Sequence, residues 1–259
     1  MRLLLVCATF MELEACLALM PGGEGPASAA TAPDWHDSQE QPALRLPACT
    51  LDLLVCGVGP VAAALGLGRY LGRDRQARRP EPLGGILNLG LAGTYDPVAA
   101  PLGGIALATE EVYPEYGLWP HQEEGQAPLP MTFPQAEIAG RKVFTRLALE
   151  PDKALGNMGL NWHSESPRGP SVTVAGASGT PRRAAAMAAL GMGLTENMEG
   201  FSLALGAAGA GIPFAELRAV SNLAGRRPPQ GWDMPLALAS LGQGVRELLR
   251  PFFSAGAAG

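Results

Sequence analysis

Histidine and cysteine are scarce, with three and four in 259 residues, so the chain has little with which to build a metal centre. Cys7, Cys16, Cys49 and Cys56 form no C-x-x-C pair and share no spacing with the histidines, which excludes a zinc motif and gives no disulfide framework. Three of them lie in strongly apolar stretches and read as small buried side chains of a protein in the reducing cytoplasm. Charge is scarce as well: 17% of residues are charged, 19 basic against 24 acidic, for a net charge of −5. Nucleic-acid partners are recruited by clustered Lys and Arg, so this balance excludes them. The one basic run, residues 73–79, reads as a solvated helix end. A long apolar run is missing too. The longest stretch, residues 200–215, contains Gly206, Gly209, Gly211 and Pro213 and falls short of the ~20 residues that span a bilayer. The apolar run after Arg2 imitates a secretory leader, but Glu12 and Glu14 interrupt it, so it reads as a buried strand entering a helix. The expectation is a protein with no metal and no membrane contact.

What is present is apolar patterning, with 47% hydrophobic residues, enough for a sizeable core. Short runs rich in Val, Leu and Ile alternate with helical stretches, the pattern of a mostly parallel sheet with helices on its faces. Strands are predicted over residues 2–8, 51–56, 85–89, 103–108, 172–175 and 214–220. Helices are predicted near Glu12, near Pro60, after Thr180 with Pro181 at the first helical position, over residues 198–208, and after Asp233. The fold expected is α/β, a three-layer α/β/α arrangement around a central mixed, mostly parallel sheet, as one domain over residues 1–259. Two Pro- and Gly-rich stretches, residues 21–47 and 119–171, read as loop excursions without a core of their own.

Gly57-Val-Gly59-Pro-Val-Ala62 follows a strand and opens a helix, the form of a dinucleotide fingerprint. The acid that should end the next strand is missing, so a tight strand-to-helix turn fits better and no cofactor is expected. Asn88-Leu-Gly90-Leu91-Ala92-Gly93 is a second glycine turn, where backbone can approach a sugar or base, or simply turn. Thr195-Glu-Asn-Met198-Glu199-Gly200 places a carboxylate at the mouth of a very apolar helix, and Ser221-Asn222 ends a buried strand. Ligands collect at the carboxyl ends of strands in open α/β sheets, which favours these as site residues. Glu199 stabilised by a helix dipole and Asn222 as a turn residue is the competing account, and the residues alone do not separate the two.

Met198-Glu-Gly200 and Arg218-Ala-Val-Ser-Asn222 resemble the paired motifs of the nucleoside phosphorylase and nucleosidase superfamily. Its other blocks are matched in order by Ala8 with Glu12, by Gly57-Val-Gly59, and by Gly90-Leu-Ala-Gly93. Within it, Glu196-Asn-Met-Glu-Gly200, Ser178-Gly179-Thr180-Pro181, Ser221-Asn222 and Trp232 are most similar to the futalosine hydrolase family. The segment Glu110-Glu-Val-Tyr-Pro-Glu-Tyr-Gly117 is similar as well, with Glu115 where an aspartate is usual. The resemblance implies a nucleoside phosphorylase-like fold and hydrolysis of the N-glycosidic bond of futalosine, with release of hypoxanthine, in menaquinone biosynthesis. It implies that Glu199 and Met198 hold the ribose and that Glu12, with Glu14 as fallback, activates water. Asn222 then donates to N7 and O6 of a 6-oxopurine, with Ser178, Gly179, Thr180 and Ser221 near the base and Gly90 to Gly93 as the backbone turn beside the substrate. Asn88 and Leu91 stand where phosphorylases place a phosphate-binding arginine and a hydroxyl, which favours water over phosphate. Arg218 is expected to be structural, Arg45, Arg141 and Arg146 are candidates for the benzoate end, and a homodimer or higher homo-oligomer is implied. Competing readings are a methylthioadenosine/S-adenosylhomocysteine-type nucleosidase, a purine nucleoside phosphorylase, a dinucleotide-binding protein and a catalytically silent nucleoside binder.

Overall fold

A computed structural model describes residues 1–21, 43–119, 128–162 and 165–254. The chain opens with β1 (Arg2–Cys7), buried along its whole length. That burial on both faces explains its uninterrupted apolar run. Next come α1 (Phe10–Leu17), β2 (Ala43–Leu46), β3 (Cys49–Val55), α2 (Pro60–Ala77), β4 (Leu83–Thr94) and β5 (Ile105–Val112). Three short strands, β6 (Ala136–Ile138), β7 (Arg141–Val143) and β8 (Arg146–Ala148), precede α3 (Pro151–Asn157) and β9 (Arg168–Thr173). The chain finishes with α4 (Pro181–Gly191), β10 (Thr195–Asn197), α5 (Gly200–Ala210), β11 (Phe214–Leu223) and α6 (Met234–Leu249).

The main sheet runs β10-β9-β5-β11-β4-β1-β3-β2, with β8 on β5. Alternation along β1 explains how helices cover both faces. Leu3, Leu5 and Cys7 join one apolar cluster with Leu13, Leu17, Leu241, Val245 and Leu248 from α1 and α6. Leu4 and Val6 join the other, with Leu67, Tyr70, Phe201 and Leu203 from α2 and α5. Successive side chains of a strand point to opposite faces, so one apolar strand serves two layers. The sheet is mixed: β1 pairs in parallel with β3 and β4, and β4 with β11, while β11 and β5 are antiparallel. Beyond the end of β1, β10 comes onto β4 antiparallel, joining Glu196 to Gly93. Because β10 also pairs with β9, the strands β4, β11, β5, β9 and β10 form a closed ring.

The second excursion is more than a loop. Residues 136–148 form an antiparallel hairpin and a strand paired to β5, and α3 with the turn after it buries Leu155, Met158, Leu160 and Trp162 in the first core cluster. Strands of three residues and a seven-residue helix are too short to show a period, which is why the sequence read as irregular. The first excursion contains edge strand β2, antiparallel to β3; its residues 22–42 lie outside the described ones. The basic run is also less solvated than expected. Arg79 reaches the fully buried Asp52, 3.3 Å away, and Asp74 pairs with the buried Arg2. Tyr70 donates its hydroxyl to Asp52 at 2.6 Å, completing a polar clamp near the start of β1, at the far end from its carboxyl terminus. Among the described residues, no helix is long and apolar enough to cross a membrane.

Candidate active site

At the carboxyl ends of β1, β4, β10 and β11 lies a cavity of about 200 Å³. Glu12, Leu91, Ala92, Gly93, Ser178, Met198, Glu199, Ser221 and Asn222 line it, together with Thr9, Glu196, Trp232 and Met234. Glu199 and Asn222, on which the resemblance turns, thus face one hollow. Glu14 is exposed on α1, whereas Glu12 is 5% exposed, so of the two acids only Glu12 reaches the cavity. Its position follows from a capping box at the start of α1. Thr9 Oγ1 accepts from the Glu12 amide at 3.3 Å, while Glu12 Oε2 accepts from the Thr9 amide at 2.9 Å and the Thr9 hydroxyl at 2.8 Å. Glu12 Oε1 accepts from the Leu91 amide at 2.9 Å. Gly90 to Gly93, expected as a turn, instead continue strand β4 in register with β11, because the small side chains let the strand run on between its neighbours; it is thus strand backbone that binds this carboxylate. The pattern Thr9-x-x-Glu12 was a legible signal for this placement.

Glu199 sits at the N-cap position of α5. Its Oε1 accepts from the Gly59 amide at 2.9 Å, and Gly59 adopts φ +92°, which glycine reaches without strain. The dinucleotide-like turn is thereby a device for aiming a carboxylate. Arg218 Nη1 stands 3.9 Å from Glu199 Oε2. Burial raises the Glu199 pKa above its ordinary value, against the lowering effects of Arg218 and the Gly59 amide. Cys56, nearby, is pushed up to about 12 by burial and then by the charge of Glu199, so it stays a thiol.

Behind the cavity lies a buried network that holds α5 in place. Asn197 Oδ1 accepts from the amides of Glu199 at 2.9 Å and Gly200 at 2.7 Å, and Thr173 Oγ1 accepts from Phe201 at 2.8 Å. Three amides at the start of α5 are thus satisfied by side chains of β9 and β10. Asn197 and Thr173 donate in turn to Glu111, at 2.8 and 2.6 Å. Glu111 is held well above the usual carboxylate range, first by burial and next by Glu216. Arg218 Nε donates to Glu216 at 3.1 Å. Burial would lower the Arg218 pKa, but Glu216, Glu199 and Glu111 outweigh it and keep the guanidinium charged. A side chain at Gly200 would collide with Glu111 and Glu216, which accounts for the glycine after Met198-Glu199.

Of the other expected residues, Gly90 lies behind the wall. A Cβ there would come 2.6 Å from Arg218 Nη1 and 2.8 Å from Glu12 Oε1. Gly90→Ala is therefore expected to displace both groups and lower turnover about 100-fold while leaving the circular dichroism spectrum native. A wild-type rate in this variant would show that the arrangement around Gly90 is not needed. Thr180, expected beside the base, uses its hydroxyl to cap α4, accepting from Arg183 at 3.2 Å. Gly179 presents its carbonyl to Arg227, 3.4 Å away, and neither residue lines the cavity. Arg45, on β2, Arg141, on β7, and Arg146, paired with Glu110, do not line it either. Asn88, at the position of a phosphate-binding arginine by resemblance, donates to Glu216 at 2.7 Å and is 1% exposed. Glu115 pairs with Arg183 at 2.7 Å. Sequence reasoning missed Thr9, Glu196, Asn197 and Glu111 as parts of the site. Polar residues in the fully buried run Thr195-Glu-Asn197 were the available hint.

The model of the phosphorylase superfamily matches residues 45–250. Futalosine hydrolase from Thermus thermophilus is 37% identical over 202 residues, covering 76% of this chain and 80% of that protein. Futalosine hydrolase from Streptomyces coelicolor is 33% identical over 198 residues, covering 76% and 77%. Two solved structures from Helicobacter pylori, each 13% identical, share the fold. A 5'-methylthioadenosine/S-adenosylhomocysteine nucleosidase superposes with a TM-score of 0.66, covering 96% of this chain and 98% of that one. A futalosine hydrolase does so with 0.65, covering 96% and 97%. The nucleoside phosphorylase-like fold agrees with these likenesses, and the chain belongs to the futalosine hydrolase family of the phosphorylase superfamily.

Proposed function

We propose that the protein hydrolyses the N-glycosidic bond of futalosine and releases hypoxanthine, a step of menaquinone biosynthesis. The observation that carries the proposal is the meeting of Glu12, Glu199 and Asn222 in one nucleoside-sized cavity. Cleavage passes through an oxocarbenium-like sugar, so a site must hold the ribose, activate a nucleophile and stabilise the leaving base. Glu199, anchored by Gly59, keeps lone pairs for the 2′- and 3′-hydroxyls, and Met198 packs against the sugar. Glu12, fixed by Thr9 and Leu91, takes a proton from water as the bond to C1′ forms. The glycosidic electron pair leaves on the purine, which takes up a proton from solvent to depart as neutral hypoxanthine. Ser221 Oγ donates to Asn222 Oδ1 at 2.9 Å, which leaves Asn222 Nδ2 as the donor for N7 and O6 of a 6-oxopurine.

Water is favoured over phosphate on electrostatic grounds. The carboxyl groups of Glu12 and Glu199 face the cavity, and the guanidinium beside Glu199, Arg218, is already engaged by Glu216. A phosphate entering there would meet negative charge without a free cation. The free state of all four cysteines supports a cytoplasmic enzyme. The exposed apolar residues Val58, at the cavity, and Val61 and Leu65, on the helix that follows, support a homo-oligomer in which a second copy covers this face. Purified protein is expected to release hypoxanthine from futalosine in phosphate-free buffer, followed by chromatography, and to act more slowly on the 6-amino analogue. A requirement for phosphate would make it a phosphorylase instead.

A further inference from the structure

Asn222 reads one edge of the base in this proposal, and the strand registers place a second polar group across from it. On β4, Gly93 pairs with Asn222 of β11 on one side and with Glu196 of β10 on the other. Residues in register on adjacent strands project from the same face, and all three line the cavity. Gly93 brings no side chain; a Cβ there would come within 3.0 Å of Asn222 Nδ2. The result is a bare floor between an amide and a carboxylate, on which a flat ring can lie.

Glu196 is 7% exposed and held firmly. Its Oε1 accepts from the Ser178 amide at 2.8 Å. Its Oε2 accepts from the Ser178 hydroxyl at 2.6 Å and the Tyr95 hydroxyl at 2.8 Å. Tyr95 keeps its proton, because burial and then the charge of Glu196 raise its pKa. Two oxygens offer about four acceptor positions and three are used, so Glu196 Oε1 retains one.

We infer that Glu196 is the second base-reading residue, its Oε1 accepting the N1–H of a 6-oxopurine while Asn222 donates to the adjoining O6 and N7 edge. N1 carries hydrogen in hypoxanthine and a lone pair in adenine, so a fixed carboxylate attracts the first and repels the second. This rests on the purine-hydrolase reading above and sharpens its substrate class to 6-oxopurine nucleosides.

The test is calorimetric binding of hypoxanthine, 1-methylhypoxanthine and adenine to the wild type and to Glu196→Gln. The wild type should prefer hypoxanthine to both other bases. Glu196→Gln should weaken hypoxanthine about tenfold or more and leave adenine unchanged or tighter, since a glutamine amide can donate to adenine N1. Equal losses for all three bases would mean that Glu196 only props the Ser178 loop, and would overturn the inference. If Glu196→Gln does not fold, the wild type decides alone, because equal affinity for hypoxanthine and its 1-methyl derivative refutes a contact at N1–H. The two proposals fail separately. Selective hypoxanthine binding without futalosine cleavage would refute the hydrolase reading, whereas cleavage with no selectivity among the bases would refute this one.

Discussion

Glu12→Gln is expected to lower kcat for hypoxanthine release by about 10²- to 10⁴-fold, the range for losing a positioned general base, with little change in KM. The argument is geometric. Glu12 is the cavity carboxylate on the α1 side, and three donors from Thr9 and Leu91 hold it at fixed aim. Glutamine also serves in a capping box, so α1 should form. One donor then faces the new amide group instead of an oxygen, a loss of about 1 kcal/mol, which lowers Tm by roughly 2–4 °C in a chain of this size. Steady-state kinetics beside a thermal melt separates the two effects. A folded Glu12→Gln enzyme with near-native kcat would remove Glu12 as the base, and with Glu14 exposed on the far side of the turn no other carboxylate of α1 could replace it.

Glu199→Gln is expected to cost about 100-fold or more in kcat/KM, because the charge that strengthens bonds to the ribose hydroxyls as the sugar becomes cationic is lost. The pH dependence carries a second signature. Glu199 must be ionised to accept from two hydroxyls, and burial raises its pKa above the ordinary 4.5. In the wild type kcat/KM should therefore fall as pH drops through that raised value, and in Glu199→Gln this acid limb should vanish. Stability moves the other way. The folded state holds the Glu199 proton more tightly than the unfolded chain, so folded stability declines as pH rises from the ordinary to the raised value. Removing the carboxylate lifts that cost, and Glu199→Gln should melt no lower than the wild type at neutral pH. An inactive variant that is also strongly destabilised would point to Glu199 as a structural anchor for Gly59 and Arg218.

Local and repeating features of the molecule were legible before any coordinates. The six predicted strands occur with shifted ends, and the helix after Thr180-Pro181 starts where its cap and proline place it. Gly57-Val-Gly59 reads as a turn in the sequence because its acid partner is missing. Only the fold shows the purpose of that turn, since the Gly59 amide meets Glu199 across 140 positions of sequence. The short elements of residues 136–157 escaped because nothing so brief has a measurable period.

By itself the sequence determined the layers. Uninterrupted apolar runs cannot be solvated, so β1 and its neighbours had to lie between helices, and the glycine-flanked polar residues had to gather at the strand ends. It did not determine which acid works. Thr9-x-x-Glu12 marked a cap, but only the fold brings the Leu91 amide onto Glu12 and leaves Glu14 exposed. The carboxylates of Glu111 and Glu216 look ordinary in a strand until the ring of β4, β11, β5, β9 and β10 closes around them. The pairing of Glu196 and Asn222 across Gly93 depends on strand register, a long-range property set by how the whole sheet packs, which no local pattern encodes.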